Sequence, residues 1–462
     1  MALSSSTWSK LDCGARSHSV VRPAACFKAA SKGTGRPWSC KPSVPEQCRS
    51  PQGAVGLQAG TRLQGGVRLQ GTGGTCHAVS EAQRRRADPL SLQEAVEQRF
   101  YVWGPGKRIS YRVMKGTSRD ESPLVLLTGF GVGSFHYDNL LAELQGCARD
   151  VFLMDFFGQG DSWPTVDPCP SPDASIDAGF EHGFGAGPVA PEFEGFRFSA
   201  DMWTEQLTYF MEQIVGRPAI LCGNSLGGFI SVNLASQRPD LVVGLVLLNA
   251  TPFWGTTALR FWDGRYPLPK ALRSFGVSWW NWIRSPATIS SMLDFVYARS
   301  LSSGGYSEEL VDRIIAPTMT PAAASVFCSI LASPPPEKSF DEMLDSVRDA
   351  GMPCMLAYGR DDPWVVPLWG LRAARRLGDK VHYYEMSPAG HCPQDEAPDA
   401  VAFLLDRFAR HVADRSEAMP DSLELQQLQA QAKIVLKGRQ EDTAPRSPFQ
   451  IIDTIFGRSY QP

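Results

Sequence analysis

The segment ILCGNSLGGFI (220–230) constrains this chain more than any other. An apolar run enters Gly223-Asn224-Ser225-Leu226-Gly227 and a helical pattern leaves it, so the serine sits on a tight strand-to-helix turn. Strain at such a turn pushes the hydroxyl out at the edge of a sheet. The flanking glycines avoid side-chain clashes with the neighbouring strand and helix.

The surrounding sequence supplies the sheet that this turn needs. LVLLTGF (124–130), DVFLMDF (150–156), PAILCGNS (218–225), LVVGLVLLNA (241–250), MPCMLAYG (352–359) and VHYYEM (381–386) read as strands, and their nearly continuous hydrophobicity predicts that both faces are covered. SADMWTEQLTYFMEQIV, before the third run, and PDAVAFLLDRFARHV, after the last, place apolar residues three and four apart, as helices packed on a sheet do. The alternation predicts an α/β domain with a mostly parallel central sheet over 98–413. Residues 164–196, rich in Pro, Gly, Asp and Ser, read as a surface loop. The helical, aromatic-rich stretch at about 252–350 falls between two core strands and reads as an inserted helical cap. Beyond 416, SLELQQLQAQAKIVLKGRQ has the pattern of an amphipathic helix of unassigned role.

A serine hydroxyl is a poor nucleophile until a base takes its proton, so a nucleophilic Ser225 requires an acid and then a histidine downstream. Asp362 follows the MPCMLAYG strand, on the rim where the elbow opens, and its G-x-x-D spacing from Gly359 favours it over the adjacent Asp361. His391, in SPAGHCP, lies on a loop after the last strand, whereas His382 falls inside a strand pattern and His411 inside the terminal helix. Ser225 is therefore the expected nucleophile, His391 the general base and Asp362 its orienting acid. The oxyanion needs two backbone N–H donors, expected from Leu226 and from Phe130 in the glycine-rich LTGFGVGS loop. That loop lacks both G-x-G-x-x-G and G-x-x-x-x-G-K-[ST], which weighs against a phosphate cradle. DFFGQGDS reads as a structural turn, and His136, just past the oxyanion loop, as structural. Cys222 and Cys392 read as buried thiols.

A net charge of -3 gives no general attraction to nucleic acid or anionic lipid, which leaves a small molecule as the expected partner. The 11 cysteines are scattered without metal-ligand spacing and read as mostly reduced; no metal or cofactor is implied. No apolar run is long enough to span a bilayer, so membrane contact is expected to be peripheral. Up to residue 80 only Asp12 and Glu46 are acidic, with Ser and basic residues throughout, so residues 1–88 read as an organelle transit peptide and linker closing on Arg84-Arg85-Arg86.

Elbow, acid and histidine in this order are those of the α/β-hydrolase fold. Three longer strings are more specific: GFGVGSFHYDNLLAEL; GNSLGGFISVNLA with LVLLNATPFWG; and YGRDDPWVVPLWG with SPAGHCPQDEAPD. Over roughly 98–413 they resemble the pheophytinase branch of that superfamily. The resemblance implies a plastid serine esterase that hydrolyses the phytyl ester of pheophytin to pheophorbide and phytol, with its triad at Ser225, His391 and Asp362. It also implies a chloroplast location in the stroma or on the thylakoid surface, with other chlorophyll-catabolic enzymes as companions. The insertion at 164–196 and the divergent cap depart from the higher-plant pattern. They leave open a dephytylase of magnesium-containing chlorophyll, a generic lipid or xenobiotic esterase, and a ligand receptor of the same fold without turnover. Trp254, Trp262, Trp279, Trp280 and Trp282, with Phe253, Phe261 and Phe275, give the cap aromatic surfaces suited to a flat macrocycle.

Overall fold

The structure is a computed structural model that describes residues 94–166, 189–257, 263–267, 279–320 and 322–420, with Leu92 and the backbone of 434–435 besides. The expected leader over 1–88 lies outside the described residues, as do 167–188 of the expected loop and Phe261, Trp262 and Phe275 of the cap.

In chain order the strands are β1 (Val96–Gly104), β2 (Lys107–Met114), β3 (Leu124–Leu127), β4 (Val151–Met154), β5 (Ala219–Asn224), β6 (Val242–Leu248), β7 (Cys354–Gly359), β8 (Val381–Met386) and β9 (Ile434–Val435). They form one sheet in the order β1-β2-β4-β3-β5-β6-β7-β8-β9. From β4 to β8 every pairing is parallel. The β1–β2 hairpin joins β4 antiparallel, and β9 joins β8 antiparallel. This is the α/β-hydrolase architecture, with each of the six apolar runs forming a parallel strand. The hairpin lies partly ahead of 98. At Ile434–Val435 the tail runs as strand rather than as the expected helix.

Because side chains alternate across a strand, each buried strand feeds two cores. Val125, Leu127, Leu221, Leu245, Leu247, Leu356 and Tyr358 point to one face. Leu124, Leu126, Ile220, Cys222, Val246, Leu248, Met355 and Ala357 point to the other. The second face is covered by α1 (Asp138–Glu143), through Leu140 and Leu141, and by the C-terminal helix Pro398–Ala413, through Leu404, Leu405 and Phe408. Against the first lie α2 (Ala200–Phe210), with Trp203 and Leu207, and α3 (Leu226–Gln237), with Phe229 and Ile230. Ser199 starts α2 by accepting a hydrogen bond from Met202 N–H at 3.0 Å, which satisfies one of the donors a helix start leaves open.

Between β6 and β7 the chain forms α4 (Pro286–Val296), α5 (Glu308–Ile315), α6 (Ala323–Leu331) and α7 (Phe340–Asp349). The first two share a small core of Leu293, Tyr297, Leu310, Val311 and Ile314 that also takes in Cys392. The expected cap boundary at 350 runs too far: α7 buries Phe340, Met343, Leu344 and Val347 in the main core and belongs to the sheet layer. Its hydrophobic spacing is that of any amphipathic helix, so sequence pattern does not separate it from the cap. The last helices are α8 (Pro367–Leu377), α9 (Pro393–Glu396) and α10, the Pro398–Ala413 helix.

Close backbone approach at the elbow explains its glycines. A Cβ on Gly227 would lie 2.2 Å from the Leu127 carbonyl oxygen, and one on Gly223 would lie 2.3 Å from the Gly227 backbone. Neither neighbour is a movable side-chain tip. Gly227→Ala is accordingly expected to cost about 4 kcal/mol, read as a lower urea midpoint; a midpoint equal to that of the parent protein counts against this packing.

Candidate active site

The C-terminal ends of four parallel strands converge on one rim. Ser225 follows β5, Asn249 follows β6, Asp362 lies just past β7, and His391 is on the loop after β8. Ser225 has φ 52 and ψ -116, strained for any residue with a Cβ. The elbow is held by Ser225 N–H donating to the Leu248 carbonyl at 3.0 Å and by Thr251 N–H donating to the Ser225 carbonyl at 3.2 Å.

Asp362 is 3% exposed, and every neighbour of its carboxylate is a donor. Oδ1 accepts from Trp364 N–H at 2.7 Å and Val365 N–H at 3.0 Å. Oδ2 accepts from Asn249 Nδ2 at 2.7 Å and pairs with His391 Nδ1 at 2.7 Å. A carboxylate only accepts, so the Nδ1 proton belongs to His391, and Nε2 keeps its lone pair as a base must. Asp361 is exposed and takes a hydrogen bond from the Ser387 hydroxyl at 3.1 Å, away from the histidine.

The oxyanion loop reaches the serine through Gly129, whose Cβ position would lie 3.3 Å from Ser225 Cβ. Phe130 follows it, with ring centroids 5.4 Å from Trp254 and 5.5 Å from Phe327; Leu226 opens α3 directly behind the serine. Trp279 and Trp280 pack on Phe327 at 5.8 and 4.7 Å, so aromatic residues of cap and core meet beside this loop.

Three supporting residues escaped the sequence reading. Asn224 Nδ2 donates to the Leu248 carbonyl at 3.1 Å and to the His391 carbonyl at 2.9 Å, joining the elbow to the histidine loop. Asn249, at φ 42, holds Asp362 and accepts from Gly359 N–H at 2.8 Å. Glu396 accepts from Gly390 N–H at 3.0 Å, Cys392 N–H at 3.1 Å and Ala298 N–H at 2.7 Å, bracketing His391 and tying it to the end of α4. Burial raises the Glu396 pKa above the usual carboxylate value. Position in the motifs was the only available signal, since Asn224 is the variable residue of the elbow and Glu396 reads as an ordinary acid in a first helical turn.

DFFGQGDS is a turn: Asp155 accepts from Ser134 N–H at 2.6 Å and Asp161 N–H at 3.0 Å, and burial pushes its pKa up to about 6. Cys222 and Cys392 are buried, and burial pushes both thiols well up. Among the described residues no cluster of three or more His, Cys, Asp or Glu has the arrangement of a metal site, and no single helix is long and apolar enough to cross a membrane.

His136 Nε2 lies 2.9 Å from the Tyr297 hydroxyl, which donates to Asp395 at 2.7 Å, so the histidine is the donor to Tyr297. Burial outweighs nearby Asp395 and lowers the His136 pKa. The stability gained by keeping it neutral is full above about pH 6.5 and is lost as pH falls from there through the lowered folded value. The melting temperature of His136→Gln is expected to fall less between about pH 7 and pH 5 than that of the parent protein; parallel pH profiles would exclude this linkage.

Residues 124–402 match the alpha/beta hydrolase family. The chain is 38% identical over 338 residues to the chloroplastic pheophytinase of Arabidopsis thaliana, covering 69% of this chain and 67% of that protein. It is 23% identical to a 2-hydroxymuconate semialdehyde hydrolase of Pseudomonas putida, over 48% of this chain and 75% of that one. The crystal structure of the enol-lactonase from Burkholderia xenovorans LB400 superposes with a TM-score of 0.48 at 16% identity, covering 68% of this chain and 100% of that one.

Proposed function

For a chain that belongs to the alpha/beta hydrolase family and is pheophytinase-like within it, we propose a serine carboxylic ester hydrolase that cleaves the phytyl ester of pheophytin. The observation that carries this reading is the buried pair in which Asp362, surrounded by donors, fixes His391 Nδ1–H on a loop that Asn224 ties to the strained elbow of Ser225. His391 Nε2 takes the Ser225 proton as Oγ attacks the ester carbonyl, and the N–H groups of Phe130 and Leu226 receive the developing oxyanion. Each such donor contributes roughly 3 kcal/mol to transition-state stabilisation. His391 then protonates phytol as it leaves. A water deprotonated by His391 releases the free acid, pheophorbide, and restores Ser225.

The substrate class is supported by the 38% identity to the Arabidopsis pheophytinase and by the aromatic residues gathered at Phe130, Trp254, Phe327, Trp279 and Trp280. Flat aromatic surfaces offer a macrocycle large apolar contact. Trp282, Met292, Phe295 and Met319, exposed on the cap, support peripheral contact with the membrane that holds a phytylated pigment. The acid-poor, basic first eighty residues support a chloroplast address, tested by import of a fusion to residues 1–88 into isolated chloroplasts; exclusion of the fusion would refute it.

The deciding experiment measures phytol release from pheophytin a and from chlorophyll a, each in detergent and in lipid vesicles. Release from pheophytin alone is the expected result, faster from vesicles than from detergent. Equal release from chlorophyll widens the reading to a general dephytylase, and tight pigment binding without release favours a receptor. Cleavage of simple esters only would leave a generic esterase. No gain from vesicles would remove the membrane contact.

A further inference from the structure

Two buried N–H groups beside the oxyanion loop have no hydrogen-bond partner among the described residues: Gln159 Nε2 and Trp254 Nε1. Gln159 is 4% exposed, and its Oε1 accepts from Gly131 N–H at 2.5 Å. A backbone N–H only donates, so this bond identifies the oxygen end of the amide and leaves the NH2 end as the orphan. The loop beneath it is tightly held. Gly158 N–H donates to the Ser162 carbonyl at 2.7 Å and Gln159 N–H to the Phe156 carbonyl at 2.9 Å, while a Cβ on Gly160, at φ +52, would lie 2.5 Å from the Asp155 carboxylate. On the other side the Trp254 ring lies 5.4 Å from Phe130 and 5.9 Å from Trp203. Phe130 and Gly131 are consecutive, so the two orphan donors attach to the same short loop that presents an N–H to the reacting carbonyl.

A buried donor without an acceptor is costly, and proteins rarely leave one where nothing binds. We infer that Gln159 Nε2–H and Trp254 Nε1–H are specificity-determining donors to carbonyl oxygens on the acyl half of the ester. The inference rests on the phytyl-ester reading above and deepens it. The phytyl chain is hydrocarbon and offers no acceptor, whereas the macrocycle carries oxygens beyond the scissile ester. Donors fixed beside the oxyanion loop therefore orient the ring half, and the hydrocarbon half is left to apolar contact.

Trp254→Phe keeps an aromatic ring on Phe130 and deletes the N–H. Gln159→Glu keeps an oxygen for Gly131 N–H and deletes the amide donor. Each variant is compared with the parent protein by kcat/KM on pheophytin a and on a p-nitrophenyl ester of a short acid without a second carbonyl. The ratio of the two values, pheophytin over short ester, is expected to fall about 10-fold in each variant, chiefly through KM on pheophytin. A ratio that stays constant, whether both activities fall together or neither falls, overturns the assignment while the phytyl-ester reading stands. A parent protein that cleaves the short ester but not pheophytin removes that reading, and this assignment with it. Should Gln159→Glu fail to fold by melting temperature, the Trp254→Phe ratio decides alone.

Discussion

Ser225→Ala is expected to lower kcat for ester hydrolysis by about 10⁶-fold, the scale seen when the nucleophile of a serine triad is removed. No neighbouring group can substitute: Cys222, three residues away, is buried with its thiol pushed well up and points into the core on the opposite face of the sheet from Leu221. Alanine fits the space and fills the same backbone position, so thermal stability is expected to change by less than about 1 kcal/mol. The informative measurement is single-turnover phytol release with an equal amount of folded variant. Residual turnover within tenfold of the parent protein would mean that another group attacks the ester, and the elbow would lose its assigned role.

Asp362→Asn is expected to lower kcat by about 10⁴-fold, for a reason visible in its four contacts. Both edges of the carboxylate face donors: Trp364 and Val365 N–H on one side, Asn249 Nδ2 and His391 Nδ1 on the other. An asparagine must turn its NH2 toward one pair. If it faces His391, the imidazole shifts its proton to Nε2 and can no longer accept from Ser225. If it faces residues 364 and 365, the loop that positions the acid is disrupted. Either way one or two buried hydrogen bonds are lost, costing about 1–3 kcal/mol of stability. Asp361→Asn, at the exposed neighbour, is expected to stay within about twofold of the parent activity. A larger loss at Asp361 than at Asp362 would reverse the assignment of the acid.

The parallel strands were legible because burial on both faces writes itself as an unbroken apolar run, and LVVGLVLL admits few other readings. The β1–β2 hairpin was not, because an edge strand need not show that pattern. Phe100 and Val102 of β1 are 48% and 67% exposed, and Glu97, Gln98 and Arg99 interrupt its apolar residues. The end of the cap was missed for a related reason, since α7 looks amphipathic whether its partner is another cap helix or α3. At the site, Ser225, His391 and Asp362 were singled out because the expected chemistry demands particular residue types in a fixed order, and the fold pairs two of them, Asp362 and His391. Asn224, Asn249 and Glu396 were not, because each acts by hydrogen-bonding backbone or carboxylate groups brought close only by folding. An asparagine at φ 42 and a glutamate under three N–H groups carry no mark in a linear string.

The three hydrogen bonds to Glu396, with His391 N–H donating to the Val296 carbonyl at 2.8 Å, stitch the end of α4 to the histidine loop. Gly390 packs so closely there that a Cβ on it would lie 2.4 Å from the same Val296 oxygen. The cap is thus no interchangeable module. Transplanting one from a relative, to recruit a new substrate, would have to carry residues 296–298 and 390–396 as one block, so that the new helix end and the histidine loop still meet.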